Sequence, residues 1–357
     1  MIPQRRWSPD NHAAVTSFLD SLQGRAGPLT AAFDWDETCI FRCLGTASFR
    51  LAIDRLELRF SPDALAELLR GWSGDVAVSA QGVSFEALYD DIVEDWSAVW
   101  PMVRDGRHDD ARAAHPVTWR DLRARLGFLY DAYEFTEGLG PPVAYPYLVE
   151  LLAGRTEAEL EDLARRAWAM ACAEVPEDRA WTSQAGRSPA VTWAWTSGMK
   201  LNVEMLDLAR ALDAAGVQVW VITASGEAFI RAGVQITGFP APMERVVGIR
   251  LQRDASGVTL PKCPPFDTHP LTWRAGKAET IRRLLPAPPV FTAGDTNTDV
   301  EMLTAFPETE LRLVVYRGSR GAIERVYAHA RGEGTLSGRT LLQGRDEVQG
   351  GFAPRVV

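Results

Sequence analysis

Cysteine and histidine are scarce, long apolar runs are missing, and positive charge is outnumbered. Four cysteines (Cys39, Cys43, Cys172 and Cys263) in 357 residues are too few for a disulfide framework, and no two form a C-x-x-C pair. Cys39 and Cys43 are four apart with no nearby Cys or His spacing to complete a zinc site, so all four read as reduced packing residues. Among the five histidines, His108 and His115 lie in a charged loop and read as surface groups. No stretch approaches the roughly 18 consecutive apolar residues of a membrane helix. Arg5 and Arg6 are followed by no apolar segment, so no secretory signal is read; the cytoplasm is the expected compartment and no membrane partner is expected. Lys and Arg number 38 against 47 Asp and Glu, a formal charge of −9. That balance argues against a nucleic-acid partner, whose footprint is a concentrated basic surface. A small anion is still admissible, because backbone N–H groups, one Lys and a metal ion can hold a phosphate locally.

What is present is an ordinary globular composition, 46% hydrophobic and 24% charged, long enough for two domains of about 150 residues. Apolar runs at Leu29–Phe33, Val217–Thr223, Pro289–Gly294 and Leu311–Tyr316 read as strands buried on both faces, and helix patterns separate several of them. Gly216 is the expected stop of the helix carrying Leu201, Met205, Leu208 and Leu212. Val246 to Leu260 reads as a strand, an Asp254–Gly257 turn and a return strand. This alternation implies an α/β fold with a doubly wound parallel sheet, whose ligands collect beyond the C-terminal strand ends.

Between about Gly45 and Ser197 the rhythm becomes helical. Leu65, Leu68 and Leu69 follow Ser61-Pro62; Phe85, Leu88, Ile92 and Trp96 follow Ser84; Leu122, Leu126, Leu129 and Tyr133 follow a Thr118…Asp121 start; Thr156…Glu159 opens another helix. Strand alternation is not evident there. The reading is a core of residues 1–44 and 198–357 with an all-helical domain, 45–197, inserted after the first strand. The Gly-rich tail from Gly332 reads as peripheral.

The polar ends of the strands carry the chemistry. Asp34-Trp35-Asp36-Glu37-Thr38 ends the first, Thr223-Ala224-Ser225-Gly226 the second, and Gly294-Asp295-Thr296-Asn297-Thr298-Asp299 the third, with Gly276-Lys277 opening the helix between the last two. A calcium loop starting at Asp295 is excluded, since Val300 and Phe306 stand where Gly and Glu are needed. Ser225 lacks the flanking glycines of a nucleophile elbow.

In this order the four elements resemble the signature of the haloacid dehalogenase superfamily, and the helical insert sits where members with a C1-type cap carry theirs. The resemblance implies a Rossmann-like core and an aspartyl-phosphate mechanism, with Asp34 as nucleophile and Asp36 as general acid and base. It also implies Thr223 and Lys277 as phosphate-neutralising groups, and a Mg²⁺ ion held by the Asp34 carboxylate, the Asp36 backbone carbonyl and the Asp295 carboxylate. Asp299 would orient Lys277, and Thr38 would hold the turn that lets two carboxylates reach one phosphorus. Trp35, Thr38, Ala224, Ser225 and Gly226 would surround the phosphate, with Asp299 and Thr298 supporting them from behind. Asp36, two residues after Asp34, favours phosphate over carbon–halogen chemistry. The insert is similar to that of the phosphoserine phosphatase group, and Thr272–Lys277 with Ala293–Thr296 is similar to bacterial phosphorylcholine phosphatases, although Thr298 stands where phosphoserine phosphatases commonly have Asn.

The expected partner is a small phosphate ester, and phosphocholine or an amino-alcohol phosphate is favoured because a quaternary ammonium prefers aromatic faces. Eight of the 12 tryptophans lie between Cys39 and Met199; most read as core, while Trp35, with Tyr89 or Trp96, is expected to flank the organic group. A phosphotransferase using the same intermediate and a non-catalytic binding protein are the alternatives. Oligomeric state is not legible.

Overall fold

The computed structural model describes residues 2–355. Its strands are β1 Leu29–Phe33, β2 Ile40–Phe41, β3 Asp178–Thr182, β4 Thr192–Thr196, β5 Lys200–Leu201, β6 Val217–Gly226, β7 Val246–Ile249, β8 Phe291–Gly294, β9 Leu311–Val315 and β10 Arg339–Gln343. Six of them form one parallel sheet in the order β10-β9-β8-β1-β6-β7. Every residue of β1 is buried, as a strand covered by helices on both faces must be. The chain runs outward from β1 in one direction through β6 and β7 and in the other through β8, β9 and β10, so β1 lies at the topological switch point. The α/β, doubly wound parallel architecture expected from the alternating pattern is the architecture observed.

The helices are α1 Pro9–Ser21, α2 Leu44–Asp54, α3 Pro62–Ser73, α4 Phe85–Val103, α5 His108–Ala114, α6 Pro116–Phe135, α7 Pro141–Glu150, α8 Glu157–Ala173, α9 Val203–Ala214, α10 Glu227–Thr237, α11 Ala275–Leu284, α12 Val300–Thr304 and α13 Glu324–Ala330. Seven of them, α2–α8, lie between β2 and β3. Ser61 and Ser84 cap α3 and α4 as their sequences predict, and Thr156 with Glu159 forms both halves of a capping box on α8. Helix α6 starts two residues before the expected Thr118, because Pro116 is preorganised for the first turn.

Three expectations are corrected. The inserted segment is not all helical: β3 and β4 form an antiparallel hairpin pairing Trp181 with Trp193. The alternation of Thr192-Trp193-Ala194-Trp195-Thr196 is a strand signal of aromatic and β-branched residues, obscured in sequence by the helices around it. Trp193 lies flat on α6 at Gly127, where a Cβ would come within 2.2 Å of the indole. The return strand after Asp254 shrinks to one bridge, Arg253 with Thr259. The tail is not peripheral either: β10 pairs in register with β9 along the edge of the main sheet, and Arg345 beyond it is buried.

Candidate active site

Strand register places the polar ends together. Phe33 lies beside Val221 of β6 and Ala293 of β8, so Asp34, Thr223 and Asp295 stand at nearly one level, just past the last pairing of β1. The Asp34 amide donates to the Ala293 carbonyl at 2.9 Å. Beyond Asp34 the backbone curls: the amides of Thr38, Cys39 and Ile40 all point at the Trp35 carbonyl, and Glu37 takes a positive φ of 64°. The curl returns Asp36 to the wall of a cavity of about 670 Å³ that Asp34, Asp36, Thr223, Ala224, Ser225, Gly226, Asp295 and Thr298 all line.

Two cations and one hydroxyl organise the buried carboxylates. Lys277, fully buried, donates to Asp34 Oδ1 at 2.5 Å and to Asp299 Oδ1 at 2.6 Å. Asp299 Oδ2 accepts from the amides of Asp295 and Thr296 at 2.9 and 3.2 Å. Gly294 makes room for this, since a Cβ there would fall 2.6 Å from the Asp299 side chain. Arg317 Nη1 donates to Asp295 Oδ2 at 2.7 Å and its other arm lies 3.5 Å from Glu37 Oε1. Thr38 Oγ1 is 3.0 Å from Asp34 Oδ2 and 3.2 Å from Asp295 Oδ1. Thr223 Oγ1 is oriented by the Ser225 amide at 3.1 Å.

The electrostatics follow from burial. Loss of hydration, with the charge of Asp299 adding to it, pushes Asp34 up to about 7 against the opposing pull of Lys277. Burial likewise pushes Asp295 well above the ordinary carboxylate range, with Arg317 opposing it. Asp36 is pushed up to about 6 by burial, while hydrogen bonds from the Leu44 amide at 2.8 Å and the Cys43 thiol at 3.2 Å hold it down. Burial works against the charge on Lys277, and Asp299 and Asp34 outweigh it and raise its pKa.

The donor set suits a hard divalent cation. Asp34, Asp295 and Asp299 each offer an oxygen within 4.8 Å of the others. The single Thr38 proton cannot serve both oxygens it faces, so one buried carboxylate oxygen is left without a donor. Three carboxylates against one ammonium and one guanidinium leave negative charge that an oxygen-coordinated ion such as Mg²⁺ would neutralise. Asp299 is spoken for by Lys277 and two amides, so Asp34 and Asp295 are the residues able to hold the ion.

Some expected positions differ. The Trp35 ring is fully buried, edge-on to Phe239 at 5.3 Å and against Gly233. It packs beneath the site and does not border the cavity, because a strand-end residue flanked by two outward carboxylates must point inward. Tyr89 and Trp96 are core as well: the Tyr89 hydroxyl meets Tyr133 at 2.9 Å and the Trp96 indole donates to the Phe60 carbonyl. The aromatics that do line the cavity are Tyr130, Phe135, Tyr145, Phe229 and Trp273. Cys43 is not a mere packing residue, since it lines the cavity and touches Asp36, and Cys172 is exposed. Sequence reading missed Arg317, although it follows an apolar strand run, the place where site residues collect. It also missed Glu134, which lines the cavity beside Tyr130 and Tyr145 with Tyr145 Oη 3.3 Å from its carboxylate.

The sequence model of the haloacid dehalogenase-like hydrolase family matches residues 103–304, a span that holds Thr223, Lys277, Asp295 and Asp299. No curated protein matches the chain. Among solved structures, a conserved protein of unknown function from Anaerococcus prevotii is similar with a TM-score of 0.87 at 23% identity, covering 99% of this chain and 97% of that one. The likeness is one of fold. Looser matches are a HAD family hydrolase from Salmonella enterica serovar Typhi (TM-score 0.36, 11% identity, 88% and 74% covered) and a phosphoserine phosphohydrolase-like protein from Francisella tularensis (TM-score 0.34, 10% identity, 80% and 87% covered).

Proposed function

The chain belongs to the haloacid dehalogenase-like hydrolase family, and from that premise we propose that it is a Mg²⁺-dependent phosphomonoesterase acting on a small organic phosphate through an aspartyl-phosphate. The observation that carries this reading is Asp34 on the cavity floor, its Oδ1 held by Lys277 at 2.5 Å, with a second carboxylate, Asp36, in the same wall. Asp34 attacks phosphorus; as its oxygen–phosphorus bond forms, the ester oxygen departs and takes a proton from Asp36. Asp36 then removes a proton from water, whose oxygen bonds to phosphorus as the bond between Asp34 and phosphorus breaks, releasing inorganic phosphate and restoring the Asp34 carboxylate. A general acid with a pKa of about 6 can be protonated for the first step and charged for the second. Lys277 and the Thr223 hydroxyl neutralise phosphoryl oxygens, and amides of the Ala224–Gly226 segment can assist. Asp34, Asp295 and the Asp36 carbonyl would hold Mg²⁺, which supplies charge neutralisation on the phosphoryl oxygens.

Residues 45–197 act in this proposal as a C1-type cap that closes the cavity and selects the substrate. An ester carrying an amine or quaternary ammonium, such as phosphocholine, is favoured by Glu134: the polar groups beside its carboxyl are the Tyr145 and Tyr130 hydroxyls, with no basic side chain among them, and the two tyrosine rings stand with centroids 6.4 Å apart. In this reading the cationic end lies against Glu134 and the tyrosines, in place of the Trp35 ring.

The test is phosphate release from phosphocholine, phosphoethanolamine, phosphoserine and sugar phosphates, with Mg²⁺ and then with chelator. Turnover lost in chelator and in Asp34→Asn supports the reading. No Mg²⁺-dependent turnover on the whole panel, with Asp34→Asn indistinguishable from wild type, overturns it. Added alcohols that capture the phosphoryl group would identify a phosphotransferase instead.

A further inference from the structure

We propose that Arg317 is a positioning residue for the divalent-cation site, doing for Asp295 what Lys277 does for Asp34. The inference rests on the metal reading above. Each of the two carboxylates has one oxygen tied to a buried or half-buried cation: Asp34 Oδ1 to Lys277 at 2.5 Å, Asp295 Oδ2 to Arg317 at 2.7 Å. Their remaining oxygens, Asp34 Oδ2 and Asp295 Oδ1, both turn to the single hydroxyl of Thr38. The two oxygens that share one donor are therefore the pair that face a common point. The two cations fix which oxygen of each carboxylate stays free.

Arg317 is built into this position. It lies two residues past the end of β9, and the loop that carries it is fastened to the Asp295 loop. Asn297 Nδ2 donates to the Arg320 carbonyl at 2.7 Å, the Ile323 amide donates to Asn297 Oδ1 at 2.9 Å, and Thr296 Oγ1 meets Ser319 Oγ at 3.3 Å. The second arm of the guanidinium reaches Glu37, inside the curl between Asp36 and Thr38. One planar fork thus spans the two loops that would carry the metal ligands, a task its geometry suits and a lysine's single ammonium does not. Groups that orient metal ligands in this way typically contribute a factor of ten to a hundred to metal affinity.

The experiment is calorimetric titration of Mg²⁺ into chelator-stripped wild type, Arg317→Met and Arg317→Lys, with melting temperature in chelator recorded for each as a check of folding. The expected result is Mg²⁺ binding by wild type, binding roughly 10- to 100-fold weaker in Arg317→Met, and partial recovery in Arg317→Lys, which keeps a cation at Asp295 and loses the reach to Glu37. Equal binding by wild type and Arg317→Met overturns the proposal and leaves the metal reading intact. Tighter binding by Arg317→Met also overturns it, by making Arg317 a competitor of the ion. If Arg317→Met is unfolded in chelator, Arg317→Lys decides: affinity equal to or above wild type overturns the positioning role. Absence of Mg²⁺ binding by wild type overturns this inference together with the metal reading.

Discussion

Arg345, in the segment after the edge strand, donates to the carboxylate of Glu37, the residue between Asp36 and Thr38. The Arg345 side chain is 4% exposed and that of Glu37 13%, and the Arg42 amide and Arg317 converge on the same carboxylate. The positive φ of Glu37 is a conformation that a non-glycine residue holds only when its surroundings insist. Arg345→Met leaves Glu37 with one fewer cation in a water-poor position. It is expected to lower stability by about 3 kcal/mol, read from chemical denaturation, and to lower phosphatase activity in the folded fraction. A change within about 0.5 kcal/mol would show the tail to be dispensable.

Lys277→Met removes the one ammonium shared by Asp34 and Asp299. Substrate phosphate then meets uncompensated carboxylates, and kcat is expected to fall by about 10²–10³-fold. Steady-state kinetics at saturating Mg²⁺ check this; a loss confined to KM would count against the placement of Lys277 beside the nucleophile.

Gly294→Ala puts a methyl group 2.6 Å from Asp299. Overpacking of this kind costs about 1–3 kcal/mol, and the carboxylate that anchors Lys277 must shift. Activity should fall further than stability does, measured as kcat/KM against melting temperature. Equal retention of both would mean that the β8 end can give way without moving Asp299.

Burial and then the neighbouring Glu134 charge push Asp131 up to about 7. A carboxyl raised in the folded state binds its proton more tightly there than in the unfolded chain. Its contribution is complete below about pH 4, the unfolded value, and is lost as pH climbs through 7. Asp131→Asn should be more stable than wild type at pH 8, by an amount screened by water to the order of 1 kcal/mol, with the difference closing towards pH 4. Melting curves across that range test it; a constant difference would remove titration of Asp131 as the cause.

The elements legible in the sequence are those whose signals are local. Thr156 and Glu159 announce a helix start by contacting each other, Gly216 announces a stop by its positive φ of 83°, and apolar runs ending in Asp34, Thr223 and Asp295 announce strands of a parallel sheet. The same rule brings those three side chains to one level. Pairings set by tertiary geometry were not legible. Nothing near Arg345 points to Glu37, 308 positions away, and β10 has only Leu341 and Leu342 as apolar residues, so it lacks the apolar run that marks β1. The Trp35 ring was misjudged because the strand's inward and outward faces continue one residue into the curl. Glu134 stands out only once α6 and α7 bring Tyr130 and Tyr145 around it.

The central strand also governs when the site can come into being. β1 joins residue 29 to residue 217 on one side and residue 31 to residue 291 on the other. The strand that carries Asp34 leaves the ribosome long before either of its neighbours exists. Pairings so distant in sequence are slow to form, because the intervening chain must be closed into a loop before any contact repays the lost freedom. Until β8 docks, β1 has an open edge on the side where Asp295 will stand, and an unpaired, largely apolar strand is a site for wrong association. Synthesis from β8 through Arg345 therefore supplies the second neighbour of β1, the sheet edge and the Glu37 clasp, and with them the protection of the strand on which Asp34 depends.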